Sequence, residues 1–317
     1  MNNLINFVAI TTGDPDGIGF EITAKSLFKI GPQKNVLFFL FRDLRQEKKQ
    51  KKYFSLIDKK FSRITFNSLE DALVFSKKLV FKKEKKQKIL IDLALSSPAP
   101  YWIVQAAYAC KYKLFDSLIT GPLSKKLIKN SGIQSIGHTG IFRSIFPNNK
   151  MHMAFYGRDF NVLLATDHTP LTELKKSITN KSLQESYKAA QLFQKLIKEN
   201  RPIGILGLNP HAGENGIIGT FEKHWPKNLP KPLFPDAAFL KKNWNKYSLF
   251  LCLYHDQGLI PFKMHHGQDS GVHITIGLPF VRTSVDHGTA FDIYNRDMAN
   301  PASMIDAIKL NLKMIGA

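Results

Sequence analysis

Three histidines stand where buried apolar segments of the chain end. NVLLATDH ends on His168, IGILGLNPH on His211 and SLFLCLYH on His255, with spacings of 43 and 44 residues. Apolar runs closed by turn residues are typical of strands buried on both faces. Three neutral imidazoles can bind zinc or another borderline divalent ion and leave coordination positions open for catalysis. Because α/β sheets gather their ligands at the carboxyl ends of strands, the pattern favours one shared metal site.

Each of these histidines also has a simpler interpretation, in which it caps its strand and bonds a nearby backbone group. That interpretation is preferable for a single histidine, whereas three equivalent positions favour the metal site. Asp167 and Asp256 adjoin two of the histidines. They are candidates for carboxylates that orient the ligands or add to them, and ordinary loop solvation is the alternative.

A glycine-rich segment, TTGDPDGIGFE at residues 11–21, lies between the first predicted strand and the first predicted helix. Its glycines permit close approach of a ligand to the backbone, and a helix N-terminus favours anions. The segment is not the GxGxxG dinucleotide fingerprint, so a structural tight turn explains it nearly as well.

Several donors suit a phosphate or a carboxylate: His138 and Thr139 in SIGHTG, Lys263 in PFKMHH, and Arg282 in PFVRTSVDHGTA. Any one of them alone is more simply explained as a surface group, but their position near the histidine-bearing strands favours a binding role. The remaining histidines that receive no role are predicted to lie on the surface; they are His152, His224, His265 and His266.

The elements that must position these residues alternate between strand and helix. NFVAIT, NVLFFLF, KILIDLAL and DSLITG are each followed by a helix-like segment, which indicates a largely parallel sheet covered by helices. MHMAFYG and NVLLATD, separated by residues 158–160, predict a hairpin and hence some antiparallel pairing. A long helix at 180–199, strands at SLFLCLY and HITIGLP, and a final helix from about Pro301 complete the pattern.

Composition limits the classes of function. The 317 residues are 44% hydrophobic, enough for two folded domains or one large one, and carry a formal charge of +20. Lysines cluster at 46–52 and 82–88 without interleaved aromatics, which favours a solvated face, then phosphate-bearing small substrates, and only then nucleic acid. Cys110 and Cys252 lie in apolar segments and are predicted to be core residues. With no apolar run near ~20 residues and no basic leader, we expect a soluble cytoplasmic protein.

Seven ordered blocks carry a family resemblance: TTGDPDGIGFE, ITGPLSKK, GHTGIFR, ATDHTPL, GLNPHAGENGIIGTFE, YHDQGLIPFK and ITIGLPFVRTSVDHGTA. Together they resemble the 4-hydroxythreonine-4-phosphate dehydrogenase family of pyridoxal phosphate biosynthesis. The first loop and residues 287–301 are also similar to cofactor-binding segments of isopropylmalate and isocitrate dehydrogenases. The resemblance implies an α/β fold of two α/β/α domains with a mixed, largely parallel sheet and the active site in the interdomain cleft. The expected domains are 1–121 plus 282–317, and 122–281, the second carrying the metal histidines and a dimer interface.

The resemblance also implies an activity. Family members oxidise 4-phosphooxy-L-threonine to 2-amino-3-oxo-4-phosphooxybutanoate, which decarboxylates to 3-amino-2-oxopropyl phosphate. NAD or NADP and one divalent metal per site (Zn, Mg or Co) are the implied cofactors. The implied partners are the small phosphorylated substrate and a second copy of the chain in a homodimer with a shared active site, with neither nucleic acid nor membrane. A dehydrogenase of a related phosphorylated four-carbon hydroxy acid, a three-histidine metal hydrolase and an RNA-binding module are the alternatives.

Residue roles follow from the same resemblance. His168, His211 and His255 match the metal ligands. His138, Thr139, Lys263, His273 and Arg282 match substrate-binding positions, and Lys263 and Asp236 are the catalytic candidates. The expected cofactor contacts are Gly13, Asp14, Gly17, Gly19, His287, Gly288, Thr289 and Asn300. His273 departs from the family, which usually has Asn there, and an imidazole can replace one amide hydrogen bond but not both.

Overall fold

A computed structural model of the chain describes residues 5–79, 87–135, 137–267 and 270–317. Most of the second predicted lysine cluster, residues 82–86, lies outside these ranges. The chain divides into two compact units, Met1–Asn149 with Leu278–Ala317, and Lys150–Gly277. None of the helices in the described ranges combines the length and the apolarity needed to cross a bilayer.

The strands of the described residues are, in chain order, β1 Asn6–Thr11, β2 Val36–Asp43, β3 Ser62–Phe66, β4 Ile89–Leu95, β5 Ser117–Thr120, β6 His152–Tyr156, β7 Val162–Leu164, β8 Ile203–Ile205, β9 Leu249–Cys252, β10 Val272–Ile276 and β11 Val281–Val285.

The α-helices of the same residues are α1 Gly19–Ile30, α2 Gln46–Lys49, α3 Lys51–Asp58, α4 Leu69–Lys78, α5 Ala99–Lys111, α6 Lys125–Asn130, α7 His138–Ile145, α8 Leu174–Ser177, α9 Asn180–Leu196, α10 Pro235–Ala238, α11 Lys241–Trp244, α12 His255–His266 and α13 Ala302–Ile315. Short 3₁₀ segments lie at Leu171–Glu173, Pro210–Gly216, Phe221–His224 and Phe291–Ile293.

The first unit carries a parallel sheet with the strand order β3-β4-β2-β1-β5-β11. Every residue of β2, VLFFLFRD, is buried, which requires helices on both faces of the sheet. Helices α1, α3 and α13 pack in one group, and α5 packs on β1, β2 and β5. The strand–helix alternation of the sequence is therefore confirmed in this unit.

The second unit carries a mixed sheet with the strand order β10-β6-β7-β9-β8. β6 pairs antiparallel with β10 and with β7, which confirms the predicted hairpin. β9 pairs in parallel with both β7 and β8. Helix α9 packs on β6, β9 and β10, while α12 packs on β7 and β9, around a core that includes Phe155, Phe160, Phe250 and Phe262.

Local sequence explains where several helices begin and end. Ser68 caps α4 by accepting a hydrogen bond from the Asp71 amide, and Thr179 forms a capping box with Ser182 at the start of α9. Helix α13 ends at Ile315 and is capped by Gly316, whose φ of 77° few other residues adopt readily.

Two strands were absent from the sequence-based prediction, β3 and β11. β3 is a half-exposed strand, so its apolar signal is weak. β11 contains buried Arg282, Thr283 and Ser284, and buried polar residues hide a strand from any apolar pattern. The two buried hydroxyl groups have hydrogen-bond partners: the Thr283 hydroxyl donates to the Ala307 carbonyl, and the Ser284 hydroxyl donates to the Thr120 carbonyl.

The unit boundaries differ from the expected domains. Residues 122–149 lie in the first unit rather than in the second, because α6 and α7 pack against α5. The two cysteines behave as predicted: Cys110 and Cys252 are free and buried, and burial raises the pKa of both thiols.

A buried ion-pair network links β2, β3 and β4. The Arg42 guanidinium donates two hydrogen bonds of 2.8 Å to the Asp92 carboxylate, and both side chains are fully buried. Arg63 donates to the same carboxylate at 2.7 Å and Thr65 at 3.1 Å. Glu47 closes the network on Arg42 from the surface.

Removal of the shared carboxylate should be costly. Asp92→Ala leaves the buried Arg42 cation uncompensated, and we expect it to lower the free energy of unfolding by about 3–5 kcal/mol in urea denaturation. Asp58→Ala is the matched control, because the Asp58 carboxylate also binds Arg63 but is half-exposed, and it should cost about 1 kcal/mol or less. Equal losses in the two variants would contradict a buried network.

Candidate active site

The three histidines of the opening pattern follow three adjacent parallel strands of the second unit. The strand order β7-β9-β8 brings these carboxyl ends to one edge of the sheet. His168 follows β7, His211 follows β8, and His255 follows β9 as the first residue of α12. The placement inferred from the apolar runs is thus the placement that the structure has, although β7 and β8 end earlier than those runs.

Two of the three histidines lie together within the chain. The rings of His168 and His255 have their centroids 5.2 Å apart. His255 Nδ1 lies 2.7 Å from Asp256 Oδ1, and since the carboxylate can only accept, this contact fixes the proton on Nδ1 and leaves the Nε2 lone pair for a ligand. Asp256 therefore occupies the orienting position considered for it from the sequence.

His211 stands apart from this pair. Its ring lies against Phe234, with centroids 5.8 Å apart. Within the described residues, one set of three metal-ligating side chains has all its ligand atoms within 4.8 Å of one another. That set is Asp159, His265 and His266, and it includes none of the three strand-end histidines. The chain by itself thus brings His168 and His255 together but does not add His211 to them.

The segment that carries His211 has an unusual backbone. His211, Ala212, Glu214 and Asn215 all have left-handed φ values between 41° and 55°, a region that L-residues seldom occupy. Such a segment persists only where its surroundings hold it.

Glu222 supplies much of that restraint. Its Oε1 accepts hydrogen bonds from the Leu208 and Asn209 amides at 2.8 and 2.9 Å, and its Oε2 accepts from Asn209 Nδ2 at 2.7 Å. Glu222 was not predicted from the sequence to have a role, although it ends the GLNPHAGENGIIGTFE block. An acidic residue at the end of a polar turn was the available signal.

Two further side chains tie the neighbouring strand ends together. Gln257 donates to the Gly207 carbonyl at 2.8 Å and accepts from the Leu253 amide at 2.7 Å. Thr166 donates to the Leu253 carbonyl at 2.8 Å. The loops after β7, β8 and β9 are therefore joined through hydrogen bonds, and neither Gln257 nor Thr166 was predicted from the sequence to make them.

The remaining candidates of the second unit lie on nearby elements. Lys263 is exposed on α12, two turns beyond His255. Asp236 is exposed in the first turn of α10, which packs on the His211 segment. His273 lies in β10 and stacks on Phe155, with ring centroids 5.1 Å apart.

The unassigned histidines are only partly at the surface. His224 and His265 are exposed as predicted. The prediction is wrong for His266, which is 6% exposed, and His152 is half-buried with Nδ1 3.2 Å from the Leu164 carbonyl oxygen. Both rings bond backbone carbonyls, which lets polar groups enter an apolar core.

His138 and Arg282 come together in the first unit. Arg282 on β11 is 1% exposed; its guanidinium donates to the Thr120 hydroxyl and lies 5.4 Å from the centre of the Phe142 ring. Burial lowers the pKa of Arg282 to about 9, so the group remains a cation at neutral pH. A buried guanidinium is suited to a carboxylate or a phosphate.

His138 is held neutral beside that cation. Burial lowers the pKa of His138 to about 3, the Arg282 charge acts in the same direction, and a hydrogen bond with the Gly121 backbone opposes them. Its Nε2 is buried without a hydrogen-bond partner among the described residues. His138 and Thr139 also begin α7, which has no capping side chain, so a helix N-terminus and a neutral imidazole lie near a buried cation.

The glycine-rich loop contacts two other segments of the first unit. Gly13 has a φ of +82°, and the backbone amide of the next residue, Asp14, donates to the Pro122 carbonyl at 2.8 Å. A Cβ on Gly17 would lie 2.8 Å from the Thr289 carbonyl oxygen, and Ile18 donates to that same carbonyl. Gly19 begins α1, which has no capping side chain. The expected cofactor residues on the loop and Thr289 are therefore neighbours.

Several of the other expected cofactor contacts make hydrogen bonds within the first unit. The Asp14 carboxylate is buried and accepts from Ser124 at 2.7 Å. Asn300 Oδ1 accepts from the Ala302 amide at the start of α13. His287 Nδ1 lies 2.9 Å from the carbonyl of Gly288, which is itself exposed. Buried Glu21 accepts from the Ala299 amide at 2.9 Å and so holds the segment that carries Asn300 against α1.

A cavity lies beyond the carboxyl ends of β1, β2 and β4. Its volume is about 280 Å³, and its walls are formed by the residue ranges 14–16, 43–45 and 96–99 together with Leu127. Open parallel sheets bind ligands in this position. Because Asp14 lines the cavity, it adjoins the loop that the sequence assigned to the cofactor.

Comparisons with known proteins agree on one family. The family model described as "Pyridoxal phosphate biosynthetic protein PdxA" matches residues 94–311. A 4-hydroxythreonine-4-phosphate dehydrogenase of Sulfurihydrogenibium sp. (strain YO3AOP1) is 32% identical over 96% of either chain, and one of Salmonella arizonae is 36% identical over 71% of this chain and 76% of that one. The crystal structure of the Klebsiella pneumoniae enzyme of that name has a TM-score of 0.77 and 26% identity over 100% of both chains.

The hydrogen bonds of Glu222 can be tested by amide exchange. Glu222→Ala removes the acceptor of the Leu208 and Asn209 amides, and we expect their hydrogen exchange to accelerate at least about tenfold. Glu214→Ala, an exposed carboxylate in the same loop, is the control and should leave both amides protected. Unchanged exchange in Glu222→Ala would show that Glu222 does not hold the loop.

The buried neutral state of His138 predicts a pH dependence of stability. Its folded-state pKa of about 3 lies below the unfolded value of about 6.5, so between these values the unfolded chain binds more protons. Stability should therefore rise with pH across this window and be fully present above it. His138→Gln should lower the slope of unfolding free energy against pH by up to one proton, whereas His224→Gln should not. An unchanged slope in His138→Gln would contradict the buried state.

Proposed function

The chain belongs to the PdxA family of pyridoxal phosphate biosynthetic proteins, and from this membership we propose that it is a metal-dependent 4-hydroxythreonine-4-phosphate dehydrogenase. The reaction is the NAD(P)-linked oxidation of 4-phosphooxy-L-threonine to 2-amino-3-oxo-4-phosphooxybutanoate, which loses carbon dioxide to give 3-amino-2-oxopropyl phosphate. The observation that carries the proposal is the adjacency of His168 and His255 at the edge where three parallel strands end. As a metabolic enzyme it would work in the cytoplasm.

The histidine pair fits a divalent cation. His255 has its Nδ1 proton fixed by Asp256, and the neighbouring His168 ring can present a second nitrogen. With His211 they form a set of three imidazoles suited to Zn, Co or, less favourably, Mg. A cation bound there supplies Lewis acidity, which makes a secondary alcohol a better hydride donor.

Arg282 and His138 are the groups we propose for the anionic parts of the substrate. Because the fold has already removed water from the buried Arg282 guanidinium, binding a phosphate there requires no further desolvation of the cation. A bound substrate would also give His138 Nε2 the hydrogen-bond partner that it lacks within the described residues. One such charge-assisted contact contributes about 1.5–3 kcal/mol, roughly ten- to a hundredfold in affinity. Thr139, Lys263 and His273 are the further substrate contacts that we propose from the resemblance.

Proton movement falls to residues of the second unit. Lys263 and Asp236 are both exposed side chains on elements adjoining the histidine-bearing loops. An ammonium and a carboxylate can move protons to and from the substrate hydroxyl and carboxylate. The remote phosphate contact would orient the reacting carbon against the cofactor.

The oxidant is proposed to lie against the glycine-rich loop. Gly17 and Thr289 touch, α1 opens beside them without a capping side chain, and the cavity of about 280 Å³ adjoins Asp14. A helix N-terminus and close backbone approach suit the pyrophosphate of NAD or NADP. Gly13, Gly19, His287, Gly288 and Asn300 complete the proposed contact set.

A direct assay tests the proposal. Wild-type protein with 4-phosphooxy-L-threonine and NAD or NADP should raise the absorbance of the reduced cofactor, chelator should abolish the rise, and added divalent metal should restore it. His211→Ala should lower kcat by at least about a hundredfold even in excess metal. A three-histidine hydrolase would instead release phosphate without nicotinamide. Normal turnover in His211→Ala, or phosphate release alone, would refute the assignment.

We also propose a homodimer whose metal site is shared between subunits. His168 and His255 lie together in one chain while His211 does not join them, so the partner subunit is the expected source of the third imidazole. Isologous dimers can complete each other's sites in this way.

Subunit mixing tests the shared site. A mixed dimer of His168→Ala and His211→Ala subunits contains one intact site, so an exchanged mixture should recover about a quarter of wild-type activity. A mixture of His168→Ala with His255→Ala should recover none if that pair belongs to one chain. Demonstrated subunit exchange without recovery in any pairing would exclude the shared site.

A further inference from the structure

A second set of metal-ligating side chains lies at the turn of the β6–β7 hairpin. Asp159 in this turn faces His265 and His266 at the end of α12, and their ligand atoms all lie within 4.8 Å of one another. None of the three takes part in the function proposed above. His265 and His266 follow the catalytic candidate Lys263 on the same helix, but their rings face the hairpin turn.

His266 is held in one orientation. Its Nδ1 donates to the Phe262 carbonyl at 3.1 Å, which leaves the lone pair of Nε2 directed at the turn, where the Asp159 amide donates to it at 3.3 Å. The ring also fills the space beside Gly157, since a Cβ there would lie 2.5 Å from its Cε1 and Nε2. A carbonyl that fixes the tautomer of a buried imidazole is the arrangement that metal-ligating histidines use.

His265 and Asp159 are the two proposed metal ligands whose side chains can reorient. His265 Nε2 lies 2.7 Å from Asp159 Oδ2, and both side chains are about one-third exposed. The imidazole lies between aromatic rings, 4.2 Å from Trp244 and 5.8 Å from Phe160 by centroid. Arg158 Nε is 3.6 Å from the same carboxylate oxygen, but its side chain is 78% exposed and free to turn into solvent.

We propose that Asp159, His265 and His266 bind a borderline divalent transition-metal ion, of the Zn²⁺ class, that fastens the hairpin turn to the end of α12. Two imidazole nitrogens and one carboxylate are a donor set that zinc accepts, with water as the fourth ligand. Zinc bonds of about 2.0–2.1 Å place ligand atoms about 3.3 Å apart. Rotation of the partly exposed Asp159 and His265 side chains toward His266 Nε2 closes the difference. The metal–nitrogen bond replaces the 3.3 Å hydrogen bond that this nitrogen accepts from the Asp159 amide.

The proposed ion has a structural consequence. α12 begins at His255 and ends at His266, so a metal at its far end fixes the helix that carries His255, a ligand of the proposed catalytic metal. Binding to the folded state alone should stabilise it according to the concentration of free ion. A plain His265–Asp159 ion pair, which is the alternative, would add no stabilisation by Zn²⁺ to that of the proposed catalytic site.

Trp244 provides a local probe that separates this site from the metal site proposed at His168, His211 and His255. Full-length protein carrying His168→Ala, which disables the proposed catalytic metal site, is stripped with chelator and titrated with Co²⁺, which quenches a tryptophan that it approaches. In this background we expect quenching when the cluster is intact and its loss when His265→Gln is added. Adding Trp244→Phe should abolish the quenching while the ion is retained, and adding His224→Gln, an exposed histidine elsewhere, should leave the quenching unchanged. Persistent quenching in His265→Gln would overturn the proposal.

Equilibrium dialysis against Zn²⁺ gives the stoichiometry. The wild type should bind one more ion per chain than His265→Gln, and Asp159→Asn should match His265→Gln. Circular dichroism of both variants establishes that they fold. The difference of one ion should persist in a His168→Ala background, where the proposed catalytic site is disabled. If folded wild type and folded His265→Gln bind the same number of Zn²⁺ ions, the cluster is an ion pair and not a metal site.

Discussion

The parallel alignment of β7, β9 and β8 is the constraint on which the rest depends. Parallel neighbours bring their carboxyl ends to one edge of a sheet, so His168 and His255, which are 87 positions apart in sequence, become neighbours after the strands end. Hydrogen bonding between backbones thus determines which side chains can meet. The ring pair of His168 and His255 is the direct product, because β7 and β9 pair with each other.

The loops beyond those strands need further restraint, because their backbones are irregular. The Glu222 carboxylate accepts hydrogen bonds from the Leu208 and Asn209 amides at the start of the His211 segment. Gln257 joins the loops that follow β8 and β9 by one hydrogen bond to each. A run of left-handed residues is tolerable when neighbouring hydrogen bonds hold it in place. The polar residues around the histidines therefore matter as much for position as the histidines do for chemistry.

The sequence was sufficient to predict the elements whose signal is apolar. β2 and β4 are mainly apolar, with Arg42 and Asp43 at the end of β2 and Asp92 within β4. The β6–β7 hairpin consists of two short, mainly apolar segments joined by a turn, so each of these elements was predictable. β11 was not, because its buried Arg282, Thr283 and Ser284 are polar and are satisfied only by partners distant in sequence. The strand-end histidines were predictable from position alone, whereas Glu222 and Gln257 were not, since their roles depend on hydrogen bonds across loops. His266 was misjudged because its burial depends on the hairpin that packs over it.

The central claim is that His168, His211 and His255 hold one divalent cation in the assembled protein. Crystals grown with Zn²⁺ and measured on either side of the zinc absorption edge give an anomalous difference map that places the ion without reference to activity. The account predicts a peak within about 2.0–2.1 Å of one nitrogen from each of the three imidazoles, with one contributed by a second subunit. A map with zinc bound to the crystal but no peak joining these three rings would contradict it.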